Sequence, residues 1–399
     1  MNQSSLAFVR AVFREYYAKA RLQAPPAIET REFGFLQFGE KSIIRHLSFS
    51  NIEQVRRFAA ENGPASISYS TAYYRYPDRQ PMVAKEPYRF DLAFDIDADH
   101  IPTKCKRQHD FWFCQICDVR GPGVRKKCPV CHSEVVLAKF VCPECMNAAK
   151  EHVRNLIDIL EGELGLRMQQ VQISFSGRRG FHVRIFDEEV GGLTSEERRE
   201  IVDYILLKEI EPRRHGFAFE QRGGKRVLAS GPAVREGAIS RRIVQVVKRY
   251  LEAVEKKALA MPSFLRPSGA LLKEGEVVWE NLGLRTYDEI RQLIECANEY
   301  AGVSLDPMVT CDDARLLRMP SSIHGGTGLL VTVVDDLDQF DPFNDPVVLS
   351  DDPVNVHIHY SPNVVLRDQP LGPFKHEVRR LPLFAAIYLI CTGVAEIVG

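Results

Sequence analysis

Residues 171–186 read VQISFSGRRGFHVRIF. Before the SGRRG turn, Val171, Ile173 and Phe175 alternate with Gln172, Ser174 and Ser176; after it, Phe181, Val183 and Ile185 alternate with His182 and Arg184. A period of two belongs to a strand, and two such runs joined by a glycine-rich turn form a hairpin with one apolar and one polar face. The chain is therefore expected to have a sheet at its centre. Ser176, Arg178, Arg179 and His182 gather at the turn end, where guanidinium forks and a backbone open to close approach suit a triphosphate. An ordinary exposed turn with two arginines reads equally from the same letters.

The same alternation appears upstream in residues 91–99, DLAFDIDAD. Leu92, Phe94, Ile96 and Ala98 fall on one parity and Asp91, Asp95, Asp97 and Asp99 on the other. Residues two apart on a strand project to one side, roughly 6.5–7 Å apart. Asp95 and Asp97 can thus share a pair of magnesium or manganese ions, which prefer carboxylate oxygens and suit phosphoryl transfer. A solvated acidic sheet face is the plainer alternative.

Between these strands lie seven of the ten cysteines. Cys114, Cys117, Cys128 and Cys131 form C-x2-C-x10-C-x2-C, close to the spacing that closes a tetrahedral thiolate site on zinc. Cys105, His109, Cys142 and Cys145 remain for a second site that brackets the first. Four protein ligands leave no open position, so such zinc ions are structural. Lys104, Lys106, Arg107, Arg120, Arg125, Lys126 and Lys127 are interleaved with Phe111, Trp112 and Phe113, a composition fit for single-stranded nucleic acid or for the small core of a zinc module.

Further out the pattern turns helical. Residues 5–22 repeat apolar side chains at helical spacing until Pro25 and Pro26. REFGFLQF and KSIIRHLSF read as short strands, residues 146–164 as a helix, and Thr194 with Glu197 as a capping box. Two more helical patterns fall within residues 236–300, and GLLVTVV returns to strand. The segment DARLLRMPSSIHGGTG adds a second basic cluster, Arg315, Arg318 and His324, to neutralise phosphates or meet a template. The apolar run from Leu381 reads as a buried terminal helix, since Pro382 and Glu396 interrupt it and it is barely long enough for a bilayer.

The chain has 399 residues, 45% hydrophobic and 26% charged, with a net charge of −1, so nucleic-acid binding must be judged locally. Clustered cysteines and an N-terminus without a signal-peptide pattern predict a reducing cytoplasm. The fold class is α/β: a core over 1–192 and 296–399, a zinc module at 104–146 inserted in it, and a mainly helical insertion at 193–295.

Taken in order, FDIDADH, the cysteine module, SFSGRRGFHVRIFD, LDPMVT and RLLRMPSSIHGGTGL resemble the catalytic small subunit of archaeal/eukaryotic-type DNA primase, in its archaeal form. The resemblance runs from about Arg31 to Val334. It implies a "prim" core of mixed sheet with helices. It also implies nucleotidyl transfer with release of pyrophosphate, which makes short RNA or DNA primers on single-stranded DNA during replication. It adds Asp306 to Asp95 and Asp97 as catalytic metal ligands, assigns Ser176, Arg178, Arg179, His182, Arg318 and His324 to the nucleotide, and likens Arg45 to an arginine near it. It further implies a large-subunit partner, which the insertion or the apolar terminal helix would dock. A primase-polymerase for repair shares this chemistry, and a zinc-ribbon adaptor with a decayed active site is the competing class.

Overall fold

The structure, a computed structural model, describes residues 1–232 and 237–398. Glu236, the first residue of the helical pattern read from the sequence, and Gly399, the last of the expected core, lie outside them.

The hairpin forms as its alternation requires. Val171–Phe175 pairs antiparallel with Gly180–Ile185, and the sheet extends to Leu92–Asp97 on one side and Thr332–Val333 on the other. Gly180–Ile185 is an inner strand, and all six of its residues are buried. The expected polar face is therefore covered: Arg184 pairs with Asp91 at 3.4 Å, and Asp91 in turn pairs with Arg31 at 2.9 Å. Asp91 thus leaves the row of carboxylates read from the sequence, because a buried guanidinium pair holds it inside the protein.

A second four-stranded sheet orders Leu316–Arg318, Ser66–Ser70, Phe33–Leu36 and Ile43–Leu47. Every strand pairing among the described residues is antiparallel. The helix Gln3–Lys19 begins where the Asn2 side chain accepts the Ser5 N–H, and it buries Val9, Phe13 and Tyr17 in the large core. Pro143–Gly162 buries Val153, Leu156 and Leu160 in the same core. The expected capping box of Thr194 with Glu197 forms, and Thr286 with Glu289 makes a second one that the sequence reading did not name.

The apolar run at the end becomes the helix Leu383–Cys391, with Phe384 to Ile390 all buried, followed by the strand Ala395–Ile397. That strand joins a sheet with Pro353–Ser361 and Phe374–Pro382, and the Ile397 N–H donates to the Ser5 hydroxyl at 3.0 Å. No helix among the described residues is long and apolar enough to cross a membrane.

A separate hydrophobic cluster gathers residues from Leu207 to Ala297, around Ile243, Val247, Leu251 and Leu293. The helix Ser195–Ile205 contributes Val202 and Ile205 to the large core instead. This segment also carries the hairpin Ala218–Arg222 with Lys225–Ser230, besides the helices Ala238–Glu255 and Tyr287–Ala301. The cysteine-rich segment has its own small sheet, Arg120–Pro122, Asp110–Phe113 and Val136–Lys139.

Candidate active site and metal centres

The strand register assembles the site. His182 lies opposite Asp95 and Gly180 opposite Asp97, so the acidic strand and the basic hairpin share one surface. The gap between His182 Nε2 and Asp95 Oδ1 is 3.6 Å. A Cβ at Gly180 would sit 2.4 Å from the Ile96 carbonyl oxygen, so only glycine lets the turn come this close to the aspartate strand.

Asp306 arrives from elsewhere. It caps the short helix Pro307–Cys311, with its side chain accepting the Met308 N–H at 2.9 Å. Its own N–H donates to the Asp95 carbonyl at 3.2 Å, and the Thr310 hydroxyl donates to the Ala93 carbonyl at 2.7 Å. These bonds hold Asp306 against the strand of Asp95 and Asp97. Burial pushes the Asp95 carboxyl up to about 6, and the charges of Asp97 and Asp306 push the same way, against Arg318 and Arg315.

Facing them, Leu316–Arg318 is a strand of the second sheet, with Arg318 opposite Ser68. Arg318 Nη1 lies 3.5 Å from His182 Nε2, and Arg315 Nη2 lies 3.9 Å from Asp306 Oδ2. The cleft between the sheets, about 490 Å³, is lined by Asp95, His182, Arg315, Arg318 and His324, with Ile43 at its side. Burial first, then nearby arginines, holds both His182 and His324 far below the ordinary histidine range, so both are neutral. His324 Nδ1 accepts the Gly326 N–H at 3.1 Å, which leaves its proton on Nε2. The Thr327 hydroxyl donates to the Gly177 carbonyl at 2.6 Å and ties this loop to the hairpin turn. Arg178 lies within electrostatic reach of Arg318 and His324, and its Nε has no hydrogen-bond partner among the described residues.

Two of the expected nucleotide residues are otherwise engaged. Arg179 is 1% exposed, with Nη1 and Nη2 at 3.0 and 3.1 Å from the oxygens of Asp110 and Nη2 at 2.8 Å from Asp99. Arg45 grips the buried Glu32 at 2.9 and 3.1 Å and donates to the Ala314 carbonyl at 2.8 Å. Both are drawn away by carboxylates that supply a bidentate partner inside the protein. Ser176 is buried at the turn, its N–H donating to the Gly180 carbonyl at 2.9 Å.

The cysteines fall into two sets. Cys105, His109, Cys142 and Cys145 form one and Cys114, Cys117, Cys128 and Cys131 the other, each with ligand atoms within 4.8 Å of one another. Cys105 and Cys145 have sulfurs 3.3 Å apart, and Cys114 and Cys131 3.5 Å. Each set could hold a zinc ion, and no disulfide is present among the described residues. Behind the first set, His109 Nδ1 lies 2.8 Å from Asp110. Sequence reading passed over Asp110 and Thr327, and gave Asp99 only as one of a row of carboxylates. The one clue to Asp110 was its place directly after a candidate histidine ligand, since such ligands pair their second nitrogen with a carboxylate.

Against known proteins, the family described as DNA primase small subunit matches residues 137–336. Similar over nearly all of both chains are the DNA primase small subunits PriS of Nitrosopumilus maritimus, 28% identical over 100% of this chain and of its own, and of Methanococcoides burtonii, 31% identical over 99% of each. The PriS of Cenarchaeum symbiosum is 29% identical over 99% of this chain and all of its own. A much looser likeness, TM-score 0.33 at 12% identity over 85% of this chain and 84% of the other, is to the polymerase domain of Mycobacterium tuberculosis ligase D in complex with DNA.

Proposed function

Since this chain belongs to the DNA primase small subunit family, we propose that it synthesises short RNA or DNA primers on a single-stranded DNA template by nucleotidyl transfer. One observation carries the reading. Asp95 lines a cleft together with Arg318 and His324, Asp97 and Asp306 act on its charge, and Arg178 is in reach.

Three nearby carboxylates, one of them pushed toward neutrality by burial and then by the other two, are a donor set that a hard divalent cation relieves. Asp95, Asp97 and Asp306 would hold magnesium or manganese, which when bound favours the ionised 3′-hydroxyl and neutralises the leaving phosphates. The 3′-oxygen of one nucleotide attacks the α-phosphorus of the next, the bond to the β-phosphate oxygen breaks, and pyrophosphate leaves. Arg178 and Arg318 donate to the triphosphate as charge builds on it. His324 donates from Nε2, since its other nitrogen already accepts from the backbone. Neutral His182 spaces Arg318 from Asp95, so the cation is kept for phosphate and not lost to a salt bridge with the carboxylate.

The partner implied by family membership is a primase large subunit, with action at replication forks in the cytoplasm. Of the two docking surfaces that the sequence offered, the terminal helix is buried, which favours the insertion around the second hydrophobic cluster.

The test is synthesis on unprimed single-stranded DNA with labelled nucleoside triphosphates and magnesium or manganese. The chain is expected to yield short products, and the Asp95→Ala/Asp97→Ala variant none, with zinc content unchanged. Equal synthesis by the variant overturns the metal-site assignment. Extension of a supplied primer without unprimed synthesis assigns initiation to the partner.

A further inference from the structure

The turn SGRRG carries two arginines, and the fold gives them different partners. Arg178 lies toward Arg318 and His324. Arg179 is buried, bidentate on Asp110 and in contact with Asp99. Asp110 also faces His109 Nδ1 at 2.8 Å, and His109 Nε2 lies 3.4 Å from the Cys145 sulfur, within the first cysteine–histidine set. On its backbone side, the Arg179 carbonyl accepts the Ala98 N–H at 2.9 Å, and Gly180 pairs with Asp97. One residue therefore spans from the strand of the catalytic carboxylates to the metal-ligand set.

A carboxylate behind a ligating imidazole fixes its tautomer and orientation. Here that carboxylate is itself clamped by Arg179, and Asp99 on the far side is further paired with Lys139. To reach a triphosphate, Arg179 would have to give up its bidentate pair with the buried Asp110 and its contact with Asp99, which is costly. Arg178 faces no such cost.

We propose that zinc held by Cys105, His109, Cys142 and Cys145 fixes the catalytic turn through Asp110 and Arg179, which are positioning residues; the second arginine of the motif orients the turn and does not bind the triphosphate. The effect on synthesis rests on the function proposed above, whereas the linkage to zinc does not.

The experiment uses the full-length, zinc-loaded chain and its Arg179→Gln and Asp110→Asn variants, alone and combined. Zinc release is followed with a chromogenic chelator, and kcat and KM for nucleoside triphosphate are measured in primer extension. Each single variant is expected to release one zinc about 10- to 100-fold faster and to lower kcat by a similar factor. KM should stay within about threefold, and the double variant should be no worse than either single one. A raised KM in Arg179→Gln, with Asp110→Asn like the parent, would make Arg179 a phosphate ligand and overturn the proposal. Unchanged zinc release in both variants would overturn it as well. If the parent chain makes no product, faster zinc release still supports the linkage, and only the proposed function fails. Should Arg179→Gln not fold, Arg179→Lys, which keeps the charge but not the bidentate fork, carries the same measurements.

Discussion

Gly177 has φ of +83°, and a Cβ there would sit 2.6 Å from the Cβ of His324. Both the backbone and the neighbour thus require glycine where the basic turn meets the second arginine–histidine segment. Gly177→Ala is expected to lower unfolding free energy by about 2 kcal/mol or more, measured by denaturant titration, and to depress primer synthesis through His324. Glu32 is a second position where one side chain holds several others. Its carboxylate takes Arg45 bidentately and lies 3.6 Å from the fully buried Lys85. Glu32→Gln leaves two cations facing a neutral amide, and the expected loss of stability is about 3 kcal/mol by the same titration. At this scale the sequence was readable where a strand's alternation placed a side chain, as for Asp95 and Asp97. Asp306 caps a helix outside any alternation, so only family likeness could single it out. The carboxylate partners of Arg45 and Arg179 lie 13 and 69 residues away, beyond any local pattern.

Among the elements, the hairpin and the acidic strand were legible because each contrasts apolar with polar positions. The inner strand Gly180–Ile185 hides its His182 and Arg184 under other parts of the chain, which periodicity cannot foresee. The helix Pro143–Gly162 shows another such tie. His152 on this helix is 2% exposed, and its Nδ1 accepts the Ser304 N–H at 2.8 Å, two residues before Asp306. Burial lowers this imidazole to about 4, so it stays neutral in the folded chain while the unfolded chain takes up a proton near pH 6.5. The folded form is favoured fully above pH 6.5, and the advantage is lost as pH falls toward 4. Between those values His152 should contribute a decline on the order of 3 kcal/mol, and His152→Gln should flatten that part of the pH–stability curve. An unchanged slope in the variant would refute this origin.

For the whole molecule, the cysteine spacing agreed with the two groups the structure brings together, because a knuckle is local in sequence. What spacing could not say is how differently the two are seated. Cys145 is fully buried within the large core, whereas Cys117 and Cys131 lie in the partly exposed set. Cys142→Ser/Cys145→Ser is therefore expected to lower the melting temperature well beyond Cys114→Ser/Cys117→Ser, although each removes one zinc by elemental analysis. Equal losses would mean that the two sets support the fold alike.

The bond between Ser5 and Ile397 joins residues 392 positions apart. During synthesis, the helix Gln3–Lys19 emerges from the ribosome long before the strand Ala395–Ile397 that meets it. The face that bears Phe13, edge-on to Phe38 at 5.0 Å, can be covered early, but the first turn with Ser5 must wait until the strand Ala395–Ile397 has been made. Nascent chains stalled before residue 383 should accordingly expose the first turn of this helix to protease, and chains long enough to free the strand Ala395–Ile397 should protect it.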